Sequence, residues 1–401
     1  MTDKRRDFIK KSASIAAAVT VGGFSSALAH THKGKKKVED DGTKVRGYVK
    51  DAGMFMSEAY FGGINDRRIE LMKQLDVTGA VGGIRPGVTP ETPQPPRPEA
   101  GNTPTGPNPW DPEVIKANKA AWEKYGLKLN VIEGPASLNT KTKLGLAGKD
   151  EEIANFITFM KNLKKYGDID VICYNWMPVV SWYRTKFDAI GRGGALVTAF
   201  DYDDVKNLPA TEYGQVSKES LWKNLEYFLK AVVPEAEKIG MKLAMHPDDP
   251  QVDSIKGVSR IMTSVENFTR MTNIVKSPSN GITMCQGNFS LMGVDIPTVV
   301  HEFGKRGLIH FVHFRNVRDL SGNKPSTKFE ETFHDEGQID MYAAMKAYYD
   351  IGFKGPIRPD HVPTMAGDSN ASPGYSNIGA QFAFGYMRGL MQAISTEGKR
   401  K

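Results

Sequence analysis

The chain has 401 residues, 40% of them hydrophobic and 25% charged, which is an ordinary globular composition with enough length for a large core. The formal net charge of +7 does not point to a nucleic-acid partner. Much of it is local, in Lys4, Arg5, Arg6, Lys10 and Lys11 and again in Lys33, Lys35, Lys36 and Lys37, and no basic stripe interleaved with aromatics runs through the body.

Residues 1–29 read as a twin-arginine export signal. Lys4-Arg5-Arg6-Asp7-Phe8-Ile9-Lys10 opens it, an apolar small-residue stretch runs from Ile15 to Leu28, and Ala27-Leu28-Ala29 is an A-x-A cleavage site. The alternative is a basic cytoplasmic arm. The apolar run is too short for a spanning helix, and with no cysteine near the cleavage site no stable membrane anchor is expected. The expected partner is the twin-arginine export machinery and the expected location periplasmic. That route carries folded proteins, which suits one that loads a metal before export. Residues 30–45 form a charged linker.

The remainder, 46–395, reads as one domain. Short Val- and Ile-rich runs alternate with amphipathic stretches of helical length, the pattern of parallel βα units. Strands are expected near 52–56, 77–84, 127–133, 169–177, 242–246, 281–286, 308–315 and 355–360. Eight is the number that closes a (β/α)₈ TIM barrel, so the fold class is α/β with a single barrel and loop insertions at its C-terminal face. Leu221, Leu225, Phe228, Leu229 and Val232 keep a 3.6 period over 217–239, with Ser217 as the helix start, and a last helix is expected over about 376–394. Residues 86–112 hold ten of the 23 prolines and read as an ordered loop over the barrel mouth. Residues 179–215, with Trp182, Tyr183, Arg184 and glycines 191, 193 and 194, read as a lid, with decoration or oligomer contact as the alternative for both insertions.

Barrel enzymes carry their working groups at the C-terminal ends of strands. Those ends hold His246, Cys285, His313 and Asp360, spaced by 39, 28 and 47 residues, each one βα step. Alternation puts His313 and Arg315 on one face of their strand, and Arg358 and Asp360 on one face of theirs. Two imidazoles, a thiolate and a carboxylate suit Zn²⁺, Fe²⁺, Co²⁺ or Mn²⁺, and the thiolate argues against Mg²⁺ or Ca²⁺. A lone His or Cys in a strand is more often a packed core residue, and Cys173 is assigned to that class. A single disulfide between the two cysteines is the competing use of Cys285.

His246-Pro247-Asp248-Asp249-Pro250, the Cys285 segment, HFRNV at 313–317, GPIRPDH at 355–361 and PGYSNIG at 373–379 resemble the mannonate dehydratase family, as do KLGL at 143–146 and VICYNWMPVVSWYRT at 171–185. The resemblance runs from about Val131 to Leu390. It implies a (β/α)₈ barrel, a divalent metal, usually manganese, and dehydration of D-mannonate to 2-keto-3-deoxy-D-gluconate. Carried over, the metal ligands fall on His246, Cys285, His313 and Asp360, and the acid/base pair on His361 and Tyr375.

That chemistry removes a weakly acidic C2 proton and expels the C3 hydroxyl, so it needs one base and one acid. Tyr375 is slightly preferred as base, its phenol lowered by nearby cations. His361 could instead only hydrogen-bond its ligand neighbour, and Tyr375 could be a surface-loop aromatic. Arg315, Asn175, Asn316 and Arg358 are the candidate substrate-binding residues. Arg315 would pair the substrate carboxylate, or else neutralise Asp248 or Glu133, and Asn175 would bond a sugar hydroxyl. The partner is a small-molecule sugar acid. A homo-oligomer is compatible with such barrels, although the sequence carries no interface signal. The competing functions are a metal-dependent sugar isomerase or epimerase on the same barrel and a non-catalytic periplasmic sugar-acid binding protein.

Overall fold

The computed structural model describes residues 52–94 and 106–398. The export signal, the charged linker and the middle of the proline-rich loop lie outside the described residues. Eight parallel strands close a barrel: β1 (Phe55–Ala59), β2 (Gly79–Gly82), β3 (Lys128–Glu133), β4 (Val171–Tyr174), β7 (Lys242–Met245), β10 (Asn280–Cys285), β11 (Ile309–His313) and β14 (Pro356–Arg358). They run round the ring in chain order, with β1 pairing β14 to close it. Each expected strand is present; the first is displaced to 55–59 from the expected 52–56, and the others differ by one to three residues at their ends.

Period-two alternation builds two cores. Val81, Val131, Val171, Cys173, Ala244 and Phe311 face inward and fill the barrel. Their neighbours Ile132, Ile172, Leu243 and Val312 face outward and join the helices in a larger cluster. Both cysteines are free and buried. The helix Lys218–Ile239 begins where Ser217 Oγ accepts from Ser220 N and ends at left-handed Gly240. It buries Leu221, Leu225, Phe228, Leu229 and Val232 against the barrel, each contributing roughly 1.5–3 kcal/mol relative to exposure. The last helix spans Asn377–Gly398.

The segment expected to be a lid is built into a sheet. Strands β5 (Lys186–Ile190) and β6 (Leu196–Asp201) form a hairpin that pairs with β13 (Lys328–Glu331), and β13 pairs with β12 (Val317–Asp319). Leu196 also exchanges two backbone hydrogen bonds with Thr364, at 2.9 and 2.8 Å. The glycines sit only at the hairpin turn. Local reading missed this because the partner strand lies more than a hundred residues away. The short strands β8 (Ser254–Ile255) and β9 (Val258–Ser259) form a separate ribbon after β7.

Candidate active site

The C-terminal rim of the barrel gathers side chains from neighbouring strands. His246 follows β7, Cys285 ends β10, His313 ends β11, and Asp360 stands two residues past β14. Register sets Cys285 beside His313 and His313 beside Arg358. His313 lies on the inward face with Phe311, their ring centroids 4.7 Å apart. One ligand atom each from His246, Cys285 and His313 lies within 4.8 Å of the other two. Asp360 brings Oδ1 to 3.6 Å from His313 Nδ1 and Oδ2 to 3.6 Å from Cys285 Sγ. Asp360 also adopts φ +65°, a left-handed conformation that non-glycine residues hold mainly where the surroundings enforce it.

The donors suit a divalent ion. His246 Nδ1 lies 2.7 Å from the Pro247 carbonyl, which places the ring proton on Nδ1 and leaves a lone pair on Nε2. That Nε2 faces His313 Nδ1 at 3.1 Å. Such spacings match atoms sharing one ion at bonds of about 2.0–2.3 Å. Burial pushes the Asp360 carboxyl up, but His361, His313, Arg358 and Arg315 outweigh it and hold it well below the ordinary range, so it stays an anionic donor. A second group, Glu133, Cys173 and His313, meets the same distance test. It shares His313, and burial pushes the Cys173 thiol well up, which disfavours the thiolate.

His361 Nε2 lies 3.0 Å from Tyr375 Oη. On the other side of the ring, Nδ1 lies 2.7 Å from Glu331 Oε1 and 2.8 Å from Arg315 Nη1. Gly374 makes the turn possible: it sits at φ +83°, and a Cβ there would lie 3.3 Å from the His361 ring. The Tyr375 phenol does not behave as expected. Burial raises its pKa, and the lowering by Arg358 is opposed by Asp360, Glu133 and Glu331, so it is held above its ordinary value.

Two of the four expected substrate residues are engaged elsewhere. Arg315 is fully buried and pairs with Asp249 Oδ2 at 2.8 Å and with Glu331, while its Nε lies 3.1 Å from Asp360. Arg184 meets the same two carboxylates at 2.6 and 2.5 Å. The two guanidiniums and two carboxylates therefore neutralise one another beside the site, and Asp248 and Glu133 are not Arg315's partners. Asn316 donates to the carbonyls of His334 and Ile339 and accepts from Val317 N and Ile339 N. All its capacity goes to holding that loop.

Arg358 and Asn175 do line the cavity, whose volume is about 230 Å³, together with His246, Asp360, His361, Tyr375, Glu133, Asp249, Trp182 and Phe61. Arg358 Nη2 meets Glu133 at 2.9 Å and Asp360 at 2.8 Å, while its buried Nη1 has no hydrogen-bond partner among the described residues. Glu331, Arg184 and Asp249 escaped the sequence reading as site residues. Arg184 and Asp249 stand in motifs that were visible there, but Glu331 comes from an antiparallel strand with no local signal.

A family model described as D-mannonate dehydratase (UxuA) matches residues 54–212 and 206–401. The chain is 38% identical over 325 residues to the mannonate dehydratase of Thermotoga maritima, covering 73% of this chain and 88% of that protein. It is 34% identical over 313 residues to mannonate dehydratase 2 of Halalkalibacterium halodurans, covering 72% and 88%. The crystal structure of mannonate dehydratase from Streptococcus suis serotype 2 superposes with a TM-score of 0.72 at 31% identity, over 86% of this chain and 95% of that one. A D-tagatose 3-epimerase-like protein superposes at 0.52 with 12% identity, over 86% and 99%, a likeness of fold alone.

Proposed function

The chain belongs to the D-mannonate dehydratase family of metal-dependent hydro-lyases, and from that premise we propose that it converts D-mannonate to 2-keto-3-deoxy-D-gluconate and water with Mn²⁺ as its ion. The observation that carries this reading is the convergence of His246, Cys285, His313 and Asp360 on one point of a cavity that also holds His361 and Tyr375. Bound by those four residues, a divalent ion supplies positive charge that stabilises the anion formed when the carbon beside the carboxylate loses its proton.

The remaining work falls to the chain's own groups. A carboxylate behind an imidazole orients it as a base, and Glu331 stands behind His361 Nδ1 in this way. His361 is therefore the base for the C2 proton. Tyr375, its phenol raised by burial, keeps its proton and donates it to the departing C3 hydroxyl. This reverses the preference drawn from sequence. Arg358, with one free donor, serves a substrate oxygen. The rings of Trp182 and Phe61 pack on His361 and Tyr375, at centroid distances of 5.3 and 5.5 Å, and limit water beside the acid and base.

The test is to load the protein with Mn²⁺, incubate it with a panel of aldonates and uronates, and assay 2-keto-3-deoxy acids. Product from D-mannonate supports the whole reading. Product from another acid alone keeps the reaction and moves the substrate. No product from any acid, in protein holding stoichiometric metal, defeats it. The pattern around Arg5 and Arg6 further supports export. Residues 1–45 fused to a folded reporter should carry it across the inner membrane, and a fusion with both arginines changed to lysine should stay behind; equal export of the two fusions removes the twin-arginine assignment.

A further inference from the structure

Two buried cations lie behind one wall of the cavity, and the mechanism above uses neither. Lys143, on the helix Thr140–Leu144, is 8% exposed, and its Nζ donates to Asn175 Oδ1 at 3.0 Å. Arg260 is fully buried and donates from Nη2 to the Ser181 carbonyl at 3.1 Å, while its Nε and Nη1 have no hydrogen-bond partner among the described residues. Both cations interact at longer range with the buried Asp248, whose Oδ1 has no hydrogen-bond partner among the described residues. The buried Asp248 spends Oδ2 on the backbone N–H groups of Ile261 and Met262. Asn175 and Ser181, the residues these cations hold, both line the cavity. Two buried cations set against the one carboxylate they share, that of Asp248, leave an excess of positive charge, which is costly unless an anion arrives with the ligand.

The Asn175 amide is oriented by the same contacts. Its Oδ1 accepts from Lys143 Nζ and also from Met177 N at 3.1 Å. Both neighbours are obligate donors, so the oxygen must face them and Nδ2 must be the free end. An ammonium bound to the amide oxygen draws electron density from the nitrogen and strengthens its N–H as a donor. Tyr174 on β4 pairs with Met245 on β7, so Asn175 and His246 are the next residues along adjacent strands at the rim.

We propose that Lys143 is a positioning residue that fixes Asn175 as an amide donor to the carboxylate of the sugar acid, so that the Asn175–Ser181 wall is the carboxylate end of the cavity. This rests on the reading of the site as a sugar-acid dehydratase. It also changes the role expected for Asn175, from a hydroxyl partner to the group that recognises the acid. Arg315 cannot do that work, being neutralised by Asp249 and Glu331, and the free Nη1 of Arg358 serves another substrate oxygen.

The experiment uses the full Mn²⁺-loaded protein with Lys143→Met, Asn175→Asp, Asn175→Ala and the Lys143→Met/Asn175→Ala double variant. Metal content, steady-state kinetics on D-mannonate and calorimetric binding of D-mannonate are read for each. Lys143→Met should raise KM and the dissociation constant at least tenfold while kcat changes less than threefold and metal stays bound. Asn175→Asp keeps the side chain's shape but turns a donor into an anion, and should weaken binding further. In the Asn175→Ala background the Lys143 change should add less than twofold, because Lys143 acts through Asn175. Binding within twofold of wild type in Lys143→Met or Asn175→Asp overturns the proposal, as does full additivity. If Lys143→Met does not fold, Asn175→Asp decides alone. A wild type that binds D-mannonate without dehydrating it defeats the reaction assigned above, and the calorimetric comparison still judges this inference.

Discussion

Tyr375 and His361 share one hydrogen bond, and what each does depends on groups far apart in the chain. Glu331 and Arg315 hold the imidazole from one side, and burial keeps the phenol protonated on the other. Changing Tyr375 to Phe removes only the hydroxyl, so kcat should fall by about 10²-fold or more while metal content and melting temperature stay near wild type; near-normal turnover would end the acid assignment. Cys285→Ser replaces a thiolate ligand by a neutral hydroxyl, and metal per chain, measured after dialysis, should drop; unchanged stoichiometry would take Cys285 out of the centre. Alternation put His313 and Arg315 on one face, because a strand has only two, and the structure turns that face inward. It could not say what Arg315 would meet there, because its partners Asp249 and Glu331 come from a loop after another strand and from the inserted sheet.

At the scale of elements, the βα alternation was legible because each strand buries one face in the barrel and the other under helices, which writes a dense apolar run into the sequence. The cover over the mouth was not. The β5–β6 hairpin carries polar exposed residues and turn glycines, the marks of a mobile loop, and only pairing with β13 and the Thr364 contact reveals it as sheet. The loop carrying Tyr375 hangs on Gly374. Gly374→Ala puts a Cβ at φ +83° and 3.3 Å from the His361 ring, a strain of about 1–2 kcal/mol. Turnover should fall with metal binding retained, and the melting temperature should drop by a few degrees; wild-type kcat would show that the turn does not set the acid's position.

Across the whole molecule, the buried carboxylates at the rim link stability to pH. Burial pushes Glu331 up, but His361, Arg184 and Arg315 bring it down to about 2, and Arg358 and His313 do the same for Glu133 against its burial. Both folded values lie below the unfolded value near 4.5. Their contribution is therefore fully present above pH 4.5 and is lost as pH falls toward 2. In metal-free protein, melting temperature should hold steady from pH 7 to 5 and fall steeply below 4.5. Glu331→Gln should melt lower at pH 7, where it leaves Arg184 and Arg315 short of a charge, and should show a shallower acid decline; an unchanged acid slope would take Glu331 out of the linkage. The sequence by itself determined the barrel, its family and the strand-end positions of His246, Cys285, His313 and Asp360, since strand alternation and contiguous motifs are written along the chain. Tertiary structure alone decided which cations are neutralised and which stand behind the wall of the cavity. Arg315 is silenced by carboxylates from distant segments, while Lys143 and Arg260 hold Asn175 and Ser181 from behind the cavity wall. Charge balance inside a protein is a sum over neighbours in space, and no local stretch of chain records it.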